Sequence, residues 1–388
     1  MNICSQETLS KVEENDAELT ILWICNTYLG GMFNSTDGDD FSRLGSAIGE
    51  NTHLTRFEVV LRDTVALDVT NNEFYDGIKQ NSSIQVLTLN FRNSNIAGGV
   101  GQKILEAYQE NNNLIHLKVY NTNENRREQI LAESLRGCTN LREFELLYCN
   151  VADEQLLPMV EAIRDHRSLE KLHLDRDGIG NAGCEVLVTL LSDPNCNLRS
   201  LTLVGNNIDN DGAATLANGL ANNTKMKELF LGGNLIDLSS VNIFKKLLCD
   251  KSSINNTYSS NHTLEKLDMY PQRRGDELRS LLKLNREANK SHVAIKKILK
   301  YHPSIVMEPF FEWNMEREGE RDLKALPYVV AWFERAGDAV ASDEGGESYY
   351  IGDRKLSAMY QFVRAMPLLF VPVPHDKGGG IKRKRDVK

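Results

Sequence analysis

The sequence predicts an α/β solenoid in which short parallel strands line one face and helices line the other. Three observations lead to this prediction. The pattern L-x-x-L-x-L-x-x-N-x-I recurs over about two-thirds of the 388 residues, and a repeat of this length is typical of solenoids. The copies between Leu54 and Met226 start 27 to 30 residues apart. A second apolar set follows the copies at helical spacing, as with Leu216 and Leu220.

Each copy of the pattern predicts one strand and one turn. Residues 198–208 and 226–236 match it fully, while Asp177 and Cys149 replace the asparagine in two earlier copies. In L-x-L the two leucines point to one face of the strand and their neighbours to the other. We therefore expect the leucines in a core shared between repeats, and the asparagine to satisfy backbone groups at the turn. The nine copies start at Leu19, Leu54, Ile84, Leu114, Leu141, Leu169, Leu198, Met226 and Leu264.

The stretch LRSLTLVGNNIDNDGAATLANGLANN (residues 198–223), with its step near 28 residues, resembles leucine-rich repeats of the ribonuclease-inhibitor type. That resemblance implies a horseshoe solenoid with a parallel sheet on its concave face, a fold that mostly serves as a binding scaffold. The first copies depart from the pattern, with Arg92 and Thr122 near the asparagine position. Polar stretches inserted after Tyr28 and Cys249 are expected to be exposed loops.

The repeat stops near residue 275, and helical periodicity follows. Residues 277–302, 323–339 and 354–366 are each predicted to form a helix. Segments of this region, HVAIKKILKYHPSIVMEPFFEW among them, are similar to the tails of leucine-rich-repeat proteins from diatoms, and this resemblance implies no role. The predicted organisation is a polar N-terminal segment (1–18), a solenoid of about nine repeats (19–275), a helical C-terminal cap or separate small module (276–370) and a flexible basic tail (371–388).

Composition restricts the partners and the compartment. The net charge of −9 and the pI of about 5.5 disfavour nucleic acid as a partner. The polar, acidic N-terminus does not read as a secretory signal, and no apolar run approaches the roughly 20 residues that cross a bilayer. We expect reduced cysteines, no membrane partner, and a location in the cytoplasm or the nucleus. Four consecutive basic residues form either a nuclear-import signal or a solvated tail: Lys382, Arg383, Lys384 and Arg385.

No motif predicts catalysis, a cofactor or a metal. Residues 98–103 (GGVGQK) superficially resemble a phosphate loop but lack the G-K-[ST] order, and we expect them to enter an outer helix. His116 and His173 have no partner at H-x-x-x-H spacing, so surface histidines are expected rather than ligands. No G-x-S-x-G or Cys/His signature is present.

The strand phase predicts which side chains line the concave face. One column contains Trp23, Glu58, Thr88, Lys118, Glu145, His173, Thr202, Phe230 and Asp268; the next contains Cys25, Val60, Asn90, Tyr120, Leu147, Asp175, Val204, Gly232 and Tyr270. Apolar residues are numerous for an uncovered face, which favours an interaction site, although neighbouring side chains on a parallel sheet also cover one another. The predicted protein-binding residues are Trp23, Lys118, Tyr120, Glu145, Leu147, His173, Asp175, Phe230 and Tyr270.

The leading interpretation is a non-enzymatic scaffold or adaptor that binds a protein or peptide on this face. The aromatic residues would act as anchors, and the charged residues would set specificity. An alternative is a regulator that activates a small GTPase, by analogy with activators of the ribonuclease-inhibitor type. The basic tail departs from the acidic tail typical of those activators. The sequence predicts neither the partner's identity nor the oligomeric state.

Overall fold

The structure of the protein, a computed structural model, describes residues 3–25, 33, 35, 38–60, 72–91, 99–121, 127–269 and 276–302. The chain divides into two compact units, Met1–Ala294 and Ile295–Lys388. The predicted domain bounds stay predictions. The predicted helices at 323–339 and 354–366, the basic tail and Tyr270 lie outside the described residues.

Nine strands form one parallel sheet, and their order in the sheet is their order in the chain. The leucine-rich-repeat phase predicted from the sequence is also the pairing register, since Trp23, Glu58 and Thr88 occupy equivalent positions on successive strands. Together with the intervening helices, this confirms the α/β leucine-rich-repeat horseshoe solenoid. The strands β1 to β9 are Ile21–Cys25, Arg56–Val60, Val86–Asn90, His116–Tyr120, Glu143–Leu147, Lys171–Asp175, Ser200–Thr202, Glu228–Phe230 and Lys266–Asp268.

Helices connect the strands and cover the other side of the core. Because α4 begins at Val100 with Gly99 at its N-cap, the expectation that residues 98–103 enter a helix is confirmed for residues 99–103, and Gly98 lies outside the described residues. None of the helices in the described ranges combines the length and the apolar composition that spanning a membrane requires. The helices α1 to α12 are Ile3–Glu13, Gly38–Glu50, Asn72–Gln80, Val100–Asn111, Arg127–Gly137, Leu157–Arg164, Asn181–Leu191, Asn210–Gly219, Ser239–Leu248, Ile254–Tyr258, Asp276–Leu284 and Lys290–Tyr301.

The core is a stack of aliphatic and aromatic layers between the sheet and the helices. The second and fourth residues of the five-residue strands are buried, as Phe144 and Leu146 show on β5. On the helix side, Leu187 and Leu191 of α7 are buried to the same degree. Burying one such side chain contributes roughly 2–3 kcal/mol, so the repeated leucines hold the stack together.

The asparagine of the repeat satisfies backbone groups at the turn, as predicted, and those groups belong to the preceding repeat. Asn206 is buried, and its Oδ1 accepts hydrogen bonds from the backbone N–H groups of Asp177 (3.0 Å) and Ile179 (3.1 Å). Its Nδ2 donates to the carbonyl of Leu174 (2.7 Å). Where Asp177 replaces asparagine, its carboxylate accepts from the N–H of Cys149 (2.6 Å). These bonds satisfy backbone groups that the turn would otherwise leave unpaired.

A second asparagine ladder, which the sequence analysis did not predict, joins the ends of the helices to the strands that follow. Its members precede the first leucine of a repeat by three residues. Asn81 is fully buried; its Nδ2 donates to the carbonyls of Ile48 (2.7 Å) and Asn51 (2.8 Å), and its Oδ1 accepts from the N–H of Ile84 (2.8 Å). The buried asparagines at this position include Asn51, Asn81, Asn223 and Asn261.

Three local expectations were wrong. The stretch after Tyr28 is not simply an exposed loop, because Phe33 is fully buried and its N–H donates to the carbonyl of Trp23. The stretch after Cys249 contains α10, which buries Thr257. The single helix expected at 277–302 is two helices, α11 and α12, because the chain between them turns at Asn285. That side chain is buried and donates to the carbonyl of Leu264 (2.8 Å).

Candidate functional site

Three columns of side chains, rather than the two predicted, line the open face of the sheet. Side chains at every second residue of a strand share a face, so the first residue of each strand joins the third and the fifth. The sequence analysis omitted this first column, although period-two alternation was enough to find it. In register, it contains Ile21, Arg56, Val86, His116, Glu143, Lys171, Ser200, Glu228 and Lys266.

The columns at the first and third strand positions bring opposite charges together on the three middle strands. The two inward side chains of β5 are acidic, and those of β4 and β6 on either side are basic. Residues directly opposite one another on neighbouring strands lie close enough to interact. We call this group the His–Lys–Glu cluster; it consists of His116 and Lys118 on β4, Glu143 and Glu145 on β5, and Lys171 and His173 on β6.

Glu145 lies at the centre of the cluster and contacts three neighbours. The ammonium of Lys118 is 2.9 Å from its Oε2, and Nε2 of His116 is 3.5 Å from the same oxygen. The Tyr120 hydroxyl donates a hydrogen bond to Oε1 (2.8 Å). Burial raises the pKa of the Glu145 carboxyl, but the contacts with these three neighbours outweigh burial and lower the pKa to about 2. Glu145 is therefore ionised at neutral pH.

Glu143 lies two residues before Glu145 on β5. One of its carboxylate oxygens contacts a lysine, and the other lies near two histidines. The ammonium of Lys171 lies 3.3 Å from Oε2. Nε2 of His173 (3.3 Å) and Nε2 of His116 (3.7 Å) both approach Oε1. The Nε2 atoms of His116 and His173 are both shielded from solvent, and neither makes a hydrogen bond within the part of the chain that the structure describes. Both histidines are thus directed at carboxylates rather than at solvent.

This arrangement brings together one nitrogen and two oxygen donors that could hold a metal ion. Donor atoms of His116, Glu143 and Glu145 all lie within 4.8 Å of one another, and all three side chains are part-buried. Histidine spacing along one segment of the sequence predicted no metal ligand. The donors converge here because they lie on adjacent strands about 27 residues apart in the chain, a distance that local motifs do not cover.

An exposed aromatic residue and an arginine follow the cluster at the carboxyl ends of β5 and β6. Tyr148 (φ 57°) and Arg176 (φ 58°) both adopt left-handed backbone, while glycines occupy the same position two repeats later, at Gly205 and Gly233. The guanidinium of Arg176 lies 5.1 Å from the centre of the Tyr148 ring. A left-handed non-glycine residue costs roughly 1–2 kcal/mol, and such residues concentrate at functional sites. The sequence analysis missed this pair.

The structure joins some of the predicted binding residues directly. Lys118, Tyr120 and Glu145 are in mutual contact through the Glu145 carboxylate. His173 contacts Glu143 rather than another predicted residue. Leu147 follows Glu145 on the same face of β5 and is half-buried.

The remaining predicted residues do not take part in this contact network. The carboxylate of Asp175 accepts a hydrogen bond from the N–H of Val204 (2.7 Å), and burial raises its pKa. The carboxylate of Asp175 is therefore used to join the end of β6 to the backbone that follows β7. Trp23 on β1 and Phe230 on β8 lie on the same face, half-buried, but on strands that do not adjoin β4–β6. Whether all these residues bind a partner stays a prediction.

Comparison with known proteins finds leucine-rich-repeat relatives but no matching protein-family model. The chain is 34% identical over 110 residues to NACHT, LRR and PYD domains-containing protein 13 from Homo sapiens. The aligned region covers 28% of this chain and 10% of that protein. The chain is also 28% identical over 269 residues to NACHT, LRR and PYD domains-containing protein 14 from Mus musculus. The aligned region covers 64% of this chain and 26% of that protein. The chain thus spans a tenth to about a quarter of the length of these relatives.

Solved structures with detectable similarity include two at low superposition scores. The C-terminal domain of a Caenorhabditis elegans tropomodulin covers 44% of this chain and 98% of its own, with a TM-score of 0.32 and 16% identity. An internalin from Listeria monocytogenes covers 66% of this chain and 63% of its own, with a TM-score of 0.31 and 17% identity. The repeat pattern, the nine-stranded sheet and the curated relatives agree that this is a leucine-rich-repeat protein.

Proposed function

We propose that this protein is a scaffold or adaptor that binds a protein partner on the open face of its sheet, centred on strands β4 to β6. The observation that carries the proposal is a sheet face whose side chains stay part-exposed among the described residues, and where a charged cluster adjoins aromatic residues. The similarity to proteins named for their leucine-rich repeats supports a role in binding. On this proposal the chain performs no catalysis and needs no cofactor.

The dimensions of the face suit a protein or an extended peptide. Nine parallel strands at about 4.8 Å spacing make a face roughly 38 Å long, and the five residues of each strand from β1 to β6 make it roughly 16 Å wide there. That surface, with its rim, approaches the roughly 800 Å² that one partner contributes to a stable interface. A partner that follows the long axis would cross β4, β5 and β6 in turn.

The chemistry of β4–β6 matches that of binding hot spots. Tyrosine and arginine dominate hot spots because they combine a large contact area with hydrogen-bonding groups, and Tyr120, Tyr148 and Arg176 lie together here. The contacts within the His–Lys–Glu cluster hold its side chains in place before a partner arrives. Such preorganisation lowers the entropy cost of association. Within this region, the predicted residues Lys118, Glu145 and His173 would set specificity through charge.

Affinity capture with matched variants tests the proposal. Wild-type protein is compared with Tyr120→Ala/Arg176→Ala, which removes an aromatic ring and a guanidinium from the proposed surface. Glu185→Gln is the control, because Glu185 is exposed on α7, on the helix side of the same repeat as β6. Proteins recovered from a lysate of the source cells are quantified by mass spectrometry. Partners should be lost with the double variant and retained with the control; equal recovery with all three proteins would contradict the assignment.

Activation of a small GTPase stays an alternative prediction, since it depends on analogy of fold alone. A single-turnover GTP hydrolysis assay with added protein tests it, and no acceleration would remove it. Location in the cytoplasm or the nucleus is likewise a prediction. Fluorescence microscopy of the tagged chain with and without residues 382–385 tests whether the basic run directs nuclear import.

A further inference from the structure

We propose that His116, Glu143 and Glu145 form a binding site for a divalent transition-metal ion, with Zn²⁺ as the preferred ion. This site lies beyond the proposed scaffold function, because a protein partner could bind the sheet face whether or not the ion is present. One imidazole nitrogen and two carboxylate oxygens are a donor set that Zn²⁺ accepts. The three side chains come from two neighbouring strands, so the ion would bridge β4 and β5.

The distances between donors are close to those of a tetrahedral zinc site. Zn²⁺ holds nitrogen and oxygen ligands at about 2.0–2.1 Å, which places two tetrahedral ligands about 3.3–3.4 Å apart. Nε2 of His116 lies 3.5 Å from Oε2 of Glu145 and 3.7 Å from Oε1 of Glu143. Shifts of a few tenths of an ångström would bring these two nitrogen–oxygen separations to coordination distance, and the two carboxylate oxygens lie within 4.8 Å of each other. Side-chain rotation alone supplies such shifts.

The histidines provide a separate indication of a ligand. Nε2 of His116 and Nε2 of His173 are enclosed atoms that lack a hydrogen-bond partner within the described residues. An ion bound between the imidazole and the carboxylates would give the His116 nitrogen a direct partner. Nε2 of His173 lies 3.3 Å from Oε1 of Glu143, outside the set of three mutually close donors. A water molecule would therefore complete the coordination as the fourth ligand.

Groups behind the carboxylates hold them in an orientation that suits coordination. The Tyr120 hydroxyl donates to Oε1 of Glu145, and Lys171 contacts Oε2 of Glu143. In each case the other oxygen is directed towards His116. Lys118 contacts the metal-facing oxygen of Glu145, but a carboxylate oxygen has two lone pairs and can accept both a proton donor and an ion. Such outer contacts fix the orientation of metal ligands.

The alternative explanation of the same geometry is an ion-pair network that forms only when the histidines are protonated. The two explanations predict opposite effects of Zn²⁺. A metal site binds one ion through the unprotonated imidazole nitrogen. A protonated network binds no ion at any pH. The cysteines are a second source of apparent binding, although six of the seven are buried: Cys25, Cys138, Cys149, Cys184, Cys196 and Cys249.

The experiment titrates ZnCl₂ into the full chain, stripped of metal with EDTA, by isothermal titration calorimetry at pH 7.5. The expected result is one equivalent of Zn²⁺ with micromolar or tighter affinity, and a loss of at least tenfold in His116→Gln. His262→Gln is the control, because His262 lies in the loop before β9, away from the cluster. Circular dichroism establishes whether each variant is folded. Absence of one-equivalent binding, or equal losses in both variants, would overturn the site.

Substitution with Co²⁺ gives a readout on the wild type that no variant can disturb. Nitrogen and oxygen ligation in a four- or five-coordinate site produces visible d–d absorption without a sulfur-to-cobalt charge-transfer band. That spectrum supports the site. A charge-transfer band would assign the ion to cysteine, and the spectrum of hexa-aqua Co²⁺ would show that no site exists; either result refutes the proposal.

Discussion

Replacing Glu145 by glutamine should destabilise the solenoid at neutral pH, and the loss should shrink in acid. Glutamine keeps the shape of the side chain and can still accept the hydrogen bond from Tyr120, which is 2.8 Å away. What it removes is the negative charge that Lys118 contacts at 2.9 Å. The change therefore isolates the electrostatic contribution of the cluster from its packing.

The magnitude follows from the ionisation of the carboxyl. The surroundings lower the pKa of Glu145 from an ordinary 4.5 to about 2, and each pKa unit corresponds to about 1.4 kcal/mol. The upper bound is thus about 3 kcal/mol. Because the side chain remains 20% exposed, solvent screening reduces the effect, and we expect Glu145→Gln to cost about 1–2 kcal/mol at pH 7.

The direction of the pH dependence follows from the same shift. The folded-state pKa lies below the unfolded value, so the stabilisation is complete above about pH 5.5 and is lost as the pH falls from about 4.5 towards 2. Urea unfolding followed by circular dichroism at pH 7 and pH 4 measures both effects, with Glu185→Gln as the control, expected within about 0.5 kcal/mol of wild type. Equal stability of Glu145→Gln and wild type at pH 7, or an ordinary carboxyl pKa by NMR, would refute the reasoning.

Three further predictions concern the repeat framework. Asn81→Ala removes a fully buried amide with several backbone partners and should cost about 2–4 kcal/mol in urea unfolding, whereas Asn218→Ala on the exposed face of α8 should change little. Gly205→Ala should cost about 1–2 kcal/mol, because φ is 73° there and the added Cβ would lie 2.7 Å from Cγ of Arg176; an unchanged unfolding midpoint would contradict it. Burial raises the pKa of the Cys138 thiol to about 12, so iodoacetamide at pH 8 should label Cys138 only after urea unfolding, and rapid native labelling in mass spectra would contradict its burial.

The fold was predictable because the repeat imposes the same local solution many times. The leucines at positions such as 201 and 203 predict which residues are buried, because a strand with every second residue in the core needs aliphatic side chains there. Asn206 and Asp177 were recognisable from their fixed place after the strand. The register then follows, because a slip by one residue would turn a whole set of leucines towards solvent.

The candidate site was only partly predictable, because its contacts are between strands. Lys118, Tyr120 and Glu145 were placed on the correct face by alternation alone. Glu143 was missed because the column at the first strand position was not listed, although the same alternation applies to it. His116 was expected to be a surface histidine because no ligand lies near it in the sequence. The left-handed backbone of Tyr148 could not be inferred from its type, since glycine or asparagine is usual there. Side-chain directions within the cluster depend on packing that no local pattern encodes.

Site-specific photocrosslinking tests most directly the claim that the open face of β4–β6 receives a protein partner. A benzophenone amino acid is placed either at Lys171 on β6 or at Glu185 on α7, so that the two probes lie on opposite sides of one repeat. Both proteins are irradiated in a lysate of the source cells, with and without excess unlabelled wild type. We predict a discrete protein adduct from the Lys171 probe that the wild type suppresses, and none from the Glu185 probe. Adducts from the Glu185 probe alone, or equal unsuppressed adducts from both probes, would contradict the claim that the face of β4–β6 receives a protein partner.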